Sequence, residues 1–147
     1  MILFFFETSF KLLQKQAIKN WLRSVASYEN KKVGEINIIF HEDEFLLALN
    51  KQYLNHDTLT DIITFDNSEG NILNGDIYIS IERVEENSKQ FCCSFEEELL
   101  RVIVHGILHL CGYEDKSIAS RKKMREKEEK ALFNFKTQFN HRKDNQL

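Results

Sequence analysis

The 147-residue sequence has no proline, only five glycines and three cysteines, and no long hydrophobic run. Without a proline-rich or glycine-rich stretch nothing indicates a linker, so we expect one domain over residues 1–147. Three cysteines, two of them adjacent at 92 and 93, make a poor disulfide framework and indicate reduced thiols. The apolar run Ile2–Phe6 is far shorter than the roughly 20 residues of a membrane-spanning helix, and it lacks the flanks of a signal peptide. The sequence therefore predicts a cytoplasmic protein with no membrane partner.

Charge is distributed unevenly along the chain. The sequence is 42% hydrophobic and carries twelve phenylalanines, enough for a core, and its net charge of −3 speaks against a dedicated duplex binder. Residues 82–98 contain six acidic and two basic side chains, whereas residues 116–130 contain seven basic and three acidic ones. One interpretation is that both segments are helix faces exposed to solvent with no binding role. The other is that the basic segment forms a face that can bind phosphates, although the whole protein is mildly acidic.

Hydrophobic periodicity predicts four short strands and five helices in an order that does not alternate strictly. The strands are expected at residues 2–6, 33–40, 62–65 and 76–80. The helices are expected at residues 10–25, 43–53, 83–91, 95–110 and 116–135, and residues 141–147 are expected to fray as a tail. This mixture is typical of an α+β domain in which helices pack on a small mixed four-stranded sheet.

The predicted helix at residues 95–110 is the most informative segment. Ser94, with Glu97 three residues later, forms a capping-box pattern at its start, and Gly112 fits the residue after its end. Apolar residues surround the helix axis, so we expect this helix to be central and buried. Gly106 within the helix costs about 1 kcal/mol relative to alanine, which indicates that a substrate or a packed strand closely approaches the backbone there.

Two histidines, His105 and His109, lie four residues apart on this helix, so their imidazoles project from one face. Two such histidines can bind one zinc ion, and a carboxylate from Glu114 or Asp115 would complete an open three-ligand site. The alternative is a pair of core histidines with ordinary hydrogen bonds. A peptidase is disfavoured because Gly106 stands where zinc peptidases carry their catalytic glutamate, and no other general base is evident.

The segment around these histidines, HGILHLCGYED at residues 105–115, resembles the H-G-x-L-H-L-x-G-Y-D-H signature of the YbeY family of metal-dependent endoribonucleases. Three other stretches are similar to further motifs of that family, in the same order along the chain. They are LNKQY at residues 49–53, TDIITF at residues 60–65 and GDIYIS at residues 75–80.

The resemblance implies a single α+β domain with one zinc ion per chain, held by His105, His109 and Asp115. It further implies single-strand-specific cleavage of RNA in rRNA maturation, notably at the 16S rRNA 3′ end, and in ribosome quality control. RNA and the small ribosomal subunit are then the expected partners. Two other functions stay open: a metal-dependent hydrolase of another substrate, and a non-catalytic ribosome-assembly factor with a structural metal.

The chain departs from the family pattern at two positions. Asp115 stands where the family has its third histidine; a carboxylate can bind zinc but reduces its Lewis acidity, and it makes manganese possible. Leu54 stands where the family commonly has an arginine beside the metal. We therefore expect Lys51 or Lys116 to supply the charge that contacts RNA.

Five further side chains with metal-binding or acid–base chemistry are expected to have other roles. Cys111 is expected to pack in the core, and His41 and His56 are expected at the surface, although both histidines could line the cleft. Asp61 and Asp76 are expected to be a turn residue and a strand-end residue.

Overall fold

A four-stranded mixed sheet forms one layer of the molecule in the computed structural model, which describes residues 1–54 and 59–139. The strands are β1 (Ile2–Phe6), β2 (Lys32–His41), β3 (Ile62–Asp66) and β4 (Ile72–Ser80). Their order across the sheet is β1-β2-β4-β3; the first three run parallel, and β3 pairs antiparallel with β4 at one edge. The predictions for His56 and for the tail at 141–147 lie outside the described residues.

In the described part of the chain, five helices pack on this sheet. They are α1 (Lys15–Tyr28), α2 (Asp43–Leu54), α3 (Ile81–Gln90), α4 (Phe95–Leu110) and α5 (Ile118–Asn134), and a π-helical turn, Phe135–Phe139, follows α5. Helix α4 lies against β3 and β4 and also contacts α1, α3 and α5, so the predicted central, buried helix is confirmed. The α+β fold class is confirmed as well. Within the described residues, no helix is both long and apolar enough to cross a membrane.

The hydrophobic core lies between the sheet and the layer formed by α1, α4 and α5. Alternate residues of β2 and β4 point into it, among them the fully buried Ile38 and Ile77, as the two-residue period of a strand requires. Trp21 of α1 is fully buried, and its indole Nε1–H donates a hydrogen bond of 2.8 Å to the carbonyl oxygen of Ala131 in α5. This contact ties the two helices that flank α4 to one another.

The predicted start of the first helix is wrong. Gln14 adopts a left-handed conformation with φ of 58°, and α1 begins only at Lys15. Two preceding apolar residues, Phe10 and Leu12, pack on the core from a loop, where the ring of Phe10 lies 5.4 Å from that of Phe40 and 5.7 Å from that of Phe95. Leu13 is 67% exposed, so the apolar spacing predicted neither the helical backbone nor the full burial pattern at residues 10–14.

Strand β4 is longer than predicted, because it begins at Ile72 and not at residue 76. The segment expected to be a loop closes as a tight hairpin: the backbones of Glu69 and Ile72 bond to each other, and Gly70 has a positive φ of 56°. The hairpin makes β3 the antiparallel partner of β4 and so fixes the edge of the sheet that faces α4.

The close approach of packed strands, and not of a substrate, explains why residue 106 is a glycine. A Cβ atom added at this position would stand 3.0 Å from the Cδ1 atoms of Ile62 in β3 and Ile77 in β4. Contacts of that length are tighter than ordinary van der Waals packing, so the missing side chain lets α4 approach the sheet closely.

Replacing Gly106 by leucine is expected to lower the free energy of unfolding by about 1–3 kcal/mol, because the added methylenes overpack the contact with the sheet. Gly106→Ala is the matched control, in which a gain of about 1 kcal/mol in helix propensity offsets the smaller crowding. Urea unfolding of the metal-free variants measures both values. A leucine variant as stable as the wild type would contradict this explanation.

Candidate metal centre

Helix α4 presents two imidazoles at one end of the sheet. His105 and His109 lie one helical turn apart, their ring centroids are 4.6 Å apart, and the rings are nearly perpendicular. Both side chains are half-buried, with 19% and 29% of their surface exposed. Because α4 is packed on several sides, the positions from which the two rings project are fixed by the core.

The chain reverses after α4 and brings a carboxylate back to these rings. Gly112, with φ of 106°, occupies the left-handed position predicted from sequence, and the backbone N–H of Tyr113 donates to the carbonyl of Leu108. After this turn Asp115 Oδ2 lies 3.2 Å from His105 Nε2 and 3.5 Å from His109 Nε2. The ligand atoms of all three residues lie within 4.8 Å of one another.

These separations suit a shared metal ion. Ligands at about 2.0–2.1 Å from a tetrahedral zinc stand about 3.4 Å from one another, close to the two distances from Asp115 Oδ2. Two neutral imidazole nitrogens and a carboxylate oxygen are also donors that zinc accepts in proteins. The three residues predicted from sequence as ligands are therefore brought together in a geometry that can hold one ion.

The structure distinguishes between the two carboxylates considered as the third ligand, Asp115 and Glu114. The carboxylate of Glu114 is exposed and does not belong to the cluster of ligand atoms. A purely structural role for Asp115 as the cap of the last helix is not observed, because Ser117 is the N-cap of α5 and its hydroxyl accepts from the backbone N–H of Ser120.

Sequence reasoning missed Glu128, which it only counted among the three acidic side chains of residues 116–130. The side chain is only 4% exposed; its Oε2 lies 2.6 Å from His105 Nδ1, and its Oε1 lies 3.4 Å from Arg101 Nη1. A signal was present, because Glu128 lies at helical spacing within the buried stripe of α5. The other members of that stripe are Met124, Ala131, Leu132 and, in the following turn, Phe135.

The electrostatic environments of the two imidazoles differ. Burial lowers the pKa of His105, but its hydrogen bond to Glu128 and the charge of that carboxylate outweigh burial and raise the pKa overall. Burial and the neighbouring His105 lower the pKa of His109, which therefore favours the neutral form that a metal ligand requires.

The two histidines and Asp115 line a cleft with a volume of about 1020 Å³. Its lining comes from β3 and the residues before it, from α3 and α4, and from α5 and the residues before it. The last of these segments contributes the basic side chains Lys116, Arg121, Lys122 and Arg125, here called the basic wall. Of the lysines predicted to contact RNA, Lys116 lines the cleft and Lys51 does not; Leu54 is also part of the lining.

Asp61 has a more specific place than the turn expected for it. It precedes β3, lines the cleft, and accepts a hydrogen bond of 3.3 Å from Asn87 Nδ2. Burial raises the pKa of its carboxyl group. Asp76, by contrast, lies in β4 outside the cleft lining and accepts a bond of 2.9 Å from Asn37 Nδ2.

The other candidate side chains do not join the site. Burial raises the pKa of the Cys111 thiol to about 11, and this residue packs against the core, as predicted. His41 stacks on Phe45 with ring centroids 3.6 Å apart and does not line the cleft. All three cysteines are free thiols.

Comparisons with known proteins agree with the architecture and with the sequence motifs. The model of the family described as Endoribonuclease YbeY matches residues 6–136. A protein of Flavobacterium johnsoniae named Endoribonuclease YbeY is 56% identical over 135 residues, which cover 92% of this chain and 97% of that protein. A protein of the same name from Bacteroides fragilis is 52% identical over 120 residues, covering 82% and 86%.

A solved structure extends this similarity to three dimensions. The solution structure of TM1509 from Thermotoga maritima superposes with a TM-score of 0.64 at 31% sequence identity, covering 92% of this chain and 89% of that one. The family model spans most of the chain, and the relatives are matched over nearly their whole length. The resemblance drawn from the motifs is thereby confirmed, and the chain belongs to the YbeY family of endoribonucleases.

Proposed function

We propose that this chain is a metal-dependent endoribonuclease that cuts single-stranded RNA. The observation that carries the proposal is the convergence of His105, His109 and Asp115 in a large cleft with a basic wall. The relatives' name supplies the substrate class, RNA. The proposal includes a cytoplasmic role in rRNA maturation on the small ribosomal subunit, notably at the 16S rRNA 3′ end, and in ribosome quality control.

The composition of the cluster supports a catalytic metal over a structural one. Structural zinc sites are closed by four protein ligands, whereas catalytic sites keep one position open. In the part of the chain that the structure describes, the cluster has three members and no fourth histidine, cysteine or carboxylate. The nearby Glu114 and Cys111 both lie outside the cluster, and burial raises the pKa of the Cys111 thiol, which disfavours the thiolate that binds a metal.

We propose zinc as the ion, one per chain, with manganese as the alternative because Asp115 contributes an oxygen ligand. When bound, such an ion supplies Lewis acidity, which activates water and stabilises the negative charge that develops on a phosphoryl oxygen. His105 and His109 would hold it through their Nε2 atoms, which are the nitrogens that lie 3.2 Å and 3.5 Å from Asp115 Oδ2.

The basic wall of the cleft provides the contacts for an RNA backbone. Lys116, Arg121 and Lys122 line the same cleft as the proposed metal centre, so RNA bound in the cleft can meet both. Their charge replaces the arginine that the family commonly has where this chain has Leu54. A peptidase remains disfavoured, because Gly106 packs on the sheet beside His105 and offers no carboxylate.

The purified protein with zinc or manganese is expected to cut single-stranded RNA and to leave duplex RNA intact. Chelation should abolish the activity, and His109→Ala, purified identically, should lack it because a ligand is missing. Gel analysis of labelled rRNA precursors measures both. Equal cleavage by the wild type and the variant would assign the activity to a contaminant, and no cleavage by either would favour the assembly-factor alternative.

Binding of the same RNA should weaken as salt rises, with a log–log slope of about −0.7 for each phosphate contact. Lys122→Glu is expected to weaken binding more than Lys51→Glu, because only Lys122 lines the cleft. The two variants carry the same charge change, so they form a matched pair. Equal losses of affinity would contradict the assignment of the basic wall.

A further inference from the structure

Glu128 is the one charged residue on the otherwise apolar buried stripe of α5. Transferring a carboxylate from water into a protein interior is costly unless the charge is paired and hydrogen-bonded. Glu128 meets both conditions, because Oε1 lies 3.4 Å from Arg101 Nη1 and Oε2 lies 2.6 Å from His105 Nδ1. An apolar side chain would fill this position of the stripe without needing a charge partner. Packing alone therefore does not explain why residue 128 is a glutamate.

We propose that Glu128 is a positioning residue, which holds the proton of His105 on Nδ1 and so leaves Nε2 free to bind the metal. An ionised carboxylate only accepts hydrogen bonds, so at 2.6 Å the Nδ1 atom must be the donor. In a neutral imidazole the other nitrogen then carries the lone pair. That nitrogen, Nε2, is the one that lies 3.2 Å from Asp115 Oδ2.

Arg101 orients the carboxylate of Glu128. The guanidinium donates to Oε1 of Glu128 and holds the carboxylate so that Oε2 faces the imidazole. Arg101 is itself fixed by further carboxylates, with its Nη1 2.7 Å from Glu129 Oε1 and its Nε 3.6 Å from Glu98 Oε1. His105 is therefore anchored by a network that links α4 to α5, and its ring orientation is set before any ion arrives.

The inference rests on the proposed metal centre, and Glu128→Gln tests it with almost no change in volume. The amide would turn its oxygen toward Arg101, because an NH₂ group cannot accept from a guanidinium. Its NH₂ group would then face Nδ1 and donate to it, which moves the imidazole proton to Nε2 and blocks the ligand atom. We expect the zinc dissociation constant to rise about 10–100-fold.

Glu126→Gln is the matched control. Glu126 lies on the same helix, but its side chain is exposed and does not line the cleft. Its zinc affinity should stay close to that of the wild type. Unaltered affinity in Glu128→Gln, alongside a wild type that binds tightly, would overturn the inference alone. A wild type that binds no metal would instead contradict the metal centre on which the inference rests.

Nitrogen NMR of the imidazole in metal-free protein provides a readout that a merely structural role would not change. At alkaline pH, where His105 is neutral, the wild type should carry its proton on Nδ1 and Glu128→Gln should carry it on Nε2. Loss of packing alone would lower stability without exchanging the two tautomers. A wild-type His105 protonated on Nε2 would overturn the inference even if the variant failed to fold.

Discussion

Replacing both His105 and His109 by alanine is expected to abolish metal binding. The wild type, purified without chelator, should hold about one ion per chain, and the double variant should hold none, because a single carboxylate cannot retain the ion. A ligand present at 100 times its dissociation constant stabilises a protein by about 2.7 kcal/mol. That metal-dependent increase in the free energy of unfolding should vanish in the double variant, as elemental analysis and thermal unfolding with and without zinc would measure.

His41→Ala is the control for this loss, since His41 stacks on Phe45 outside the cleft. Its metal content should equal that of the wild type. Retention of a full equivalent of metal by the double variant would show that the ion binds elsewhere and would remove the proposed centre.

Asp115→Ala is expected to weaken zinc binding by more than the roughly 10–100-fold that the loss of an outer hydrogen-bonding partner causes, because it removes one of three direct ligands. Glu114→Ala should have little effect, since its carboxylate lies outside the ligand cluster. Asp115→His should keep the metal and favour zinc over manganese, because imidazole replaces an oxygen donor.

Zinc titration of these three variants against a competing chelator gives the dissociation constants. Their metal-free melting temperatures should lie close together, because Ser117, and not Asp115, caps α5. A dissociation constant that does not change in Asp115→Ala would exclude this residue from the site.

Local sequence signals predicted the element that carries the site. The cap at Ser94, the left-handed Gly112 and the apolar residues around α4 each depend on neighbours within a few positions, and the structure confirms all three. The spacing of His105 and His109 belongs to the same class of signal. Periodicity failed at residues 10–14, where a loop packs Phe10 and Leu12 on the core and leaves Leu13 exposed.

The remaining residues of the site, Asp115 and Glu128, depend on geometry that sequence spacing does not contain. The choice between Glu114 and Asp115 depends on the backbone conformation after Gly112, and sequence favoured Asp115 only through the resemblance to the family. Glu128 lies 23 residues from His105 and meets it only because α5 packs on α4. The position of Glu128 on an apolar stripe could have indicated that it is buried, but it could not have indicated that His105 is its partner.

The packing of α4 also determines how the proposed centre exchanges its ion. Backbone amides near His105 are protected by the central helix, so hydrogen exchange there should require global unfolding of the domain. Asp115 lies outside regular structure, between the end of α4 and the cap of α5. Local opening of this segment, without global unfolding, is enough to expose its backbone amides to exchange. His105 and His109 thus lie in the part of the molecule that opens most slowly, and Asp115 lies in a part that opens faster. The ion is therefore expected to enter and leave on the side of Asp115, at a rate independent of global unfolding.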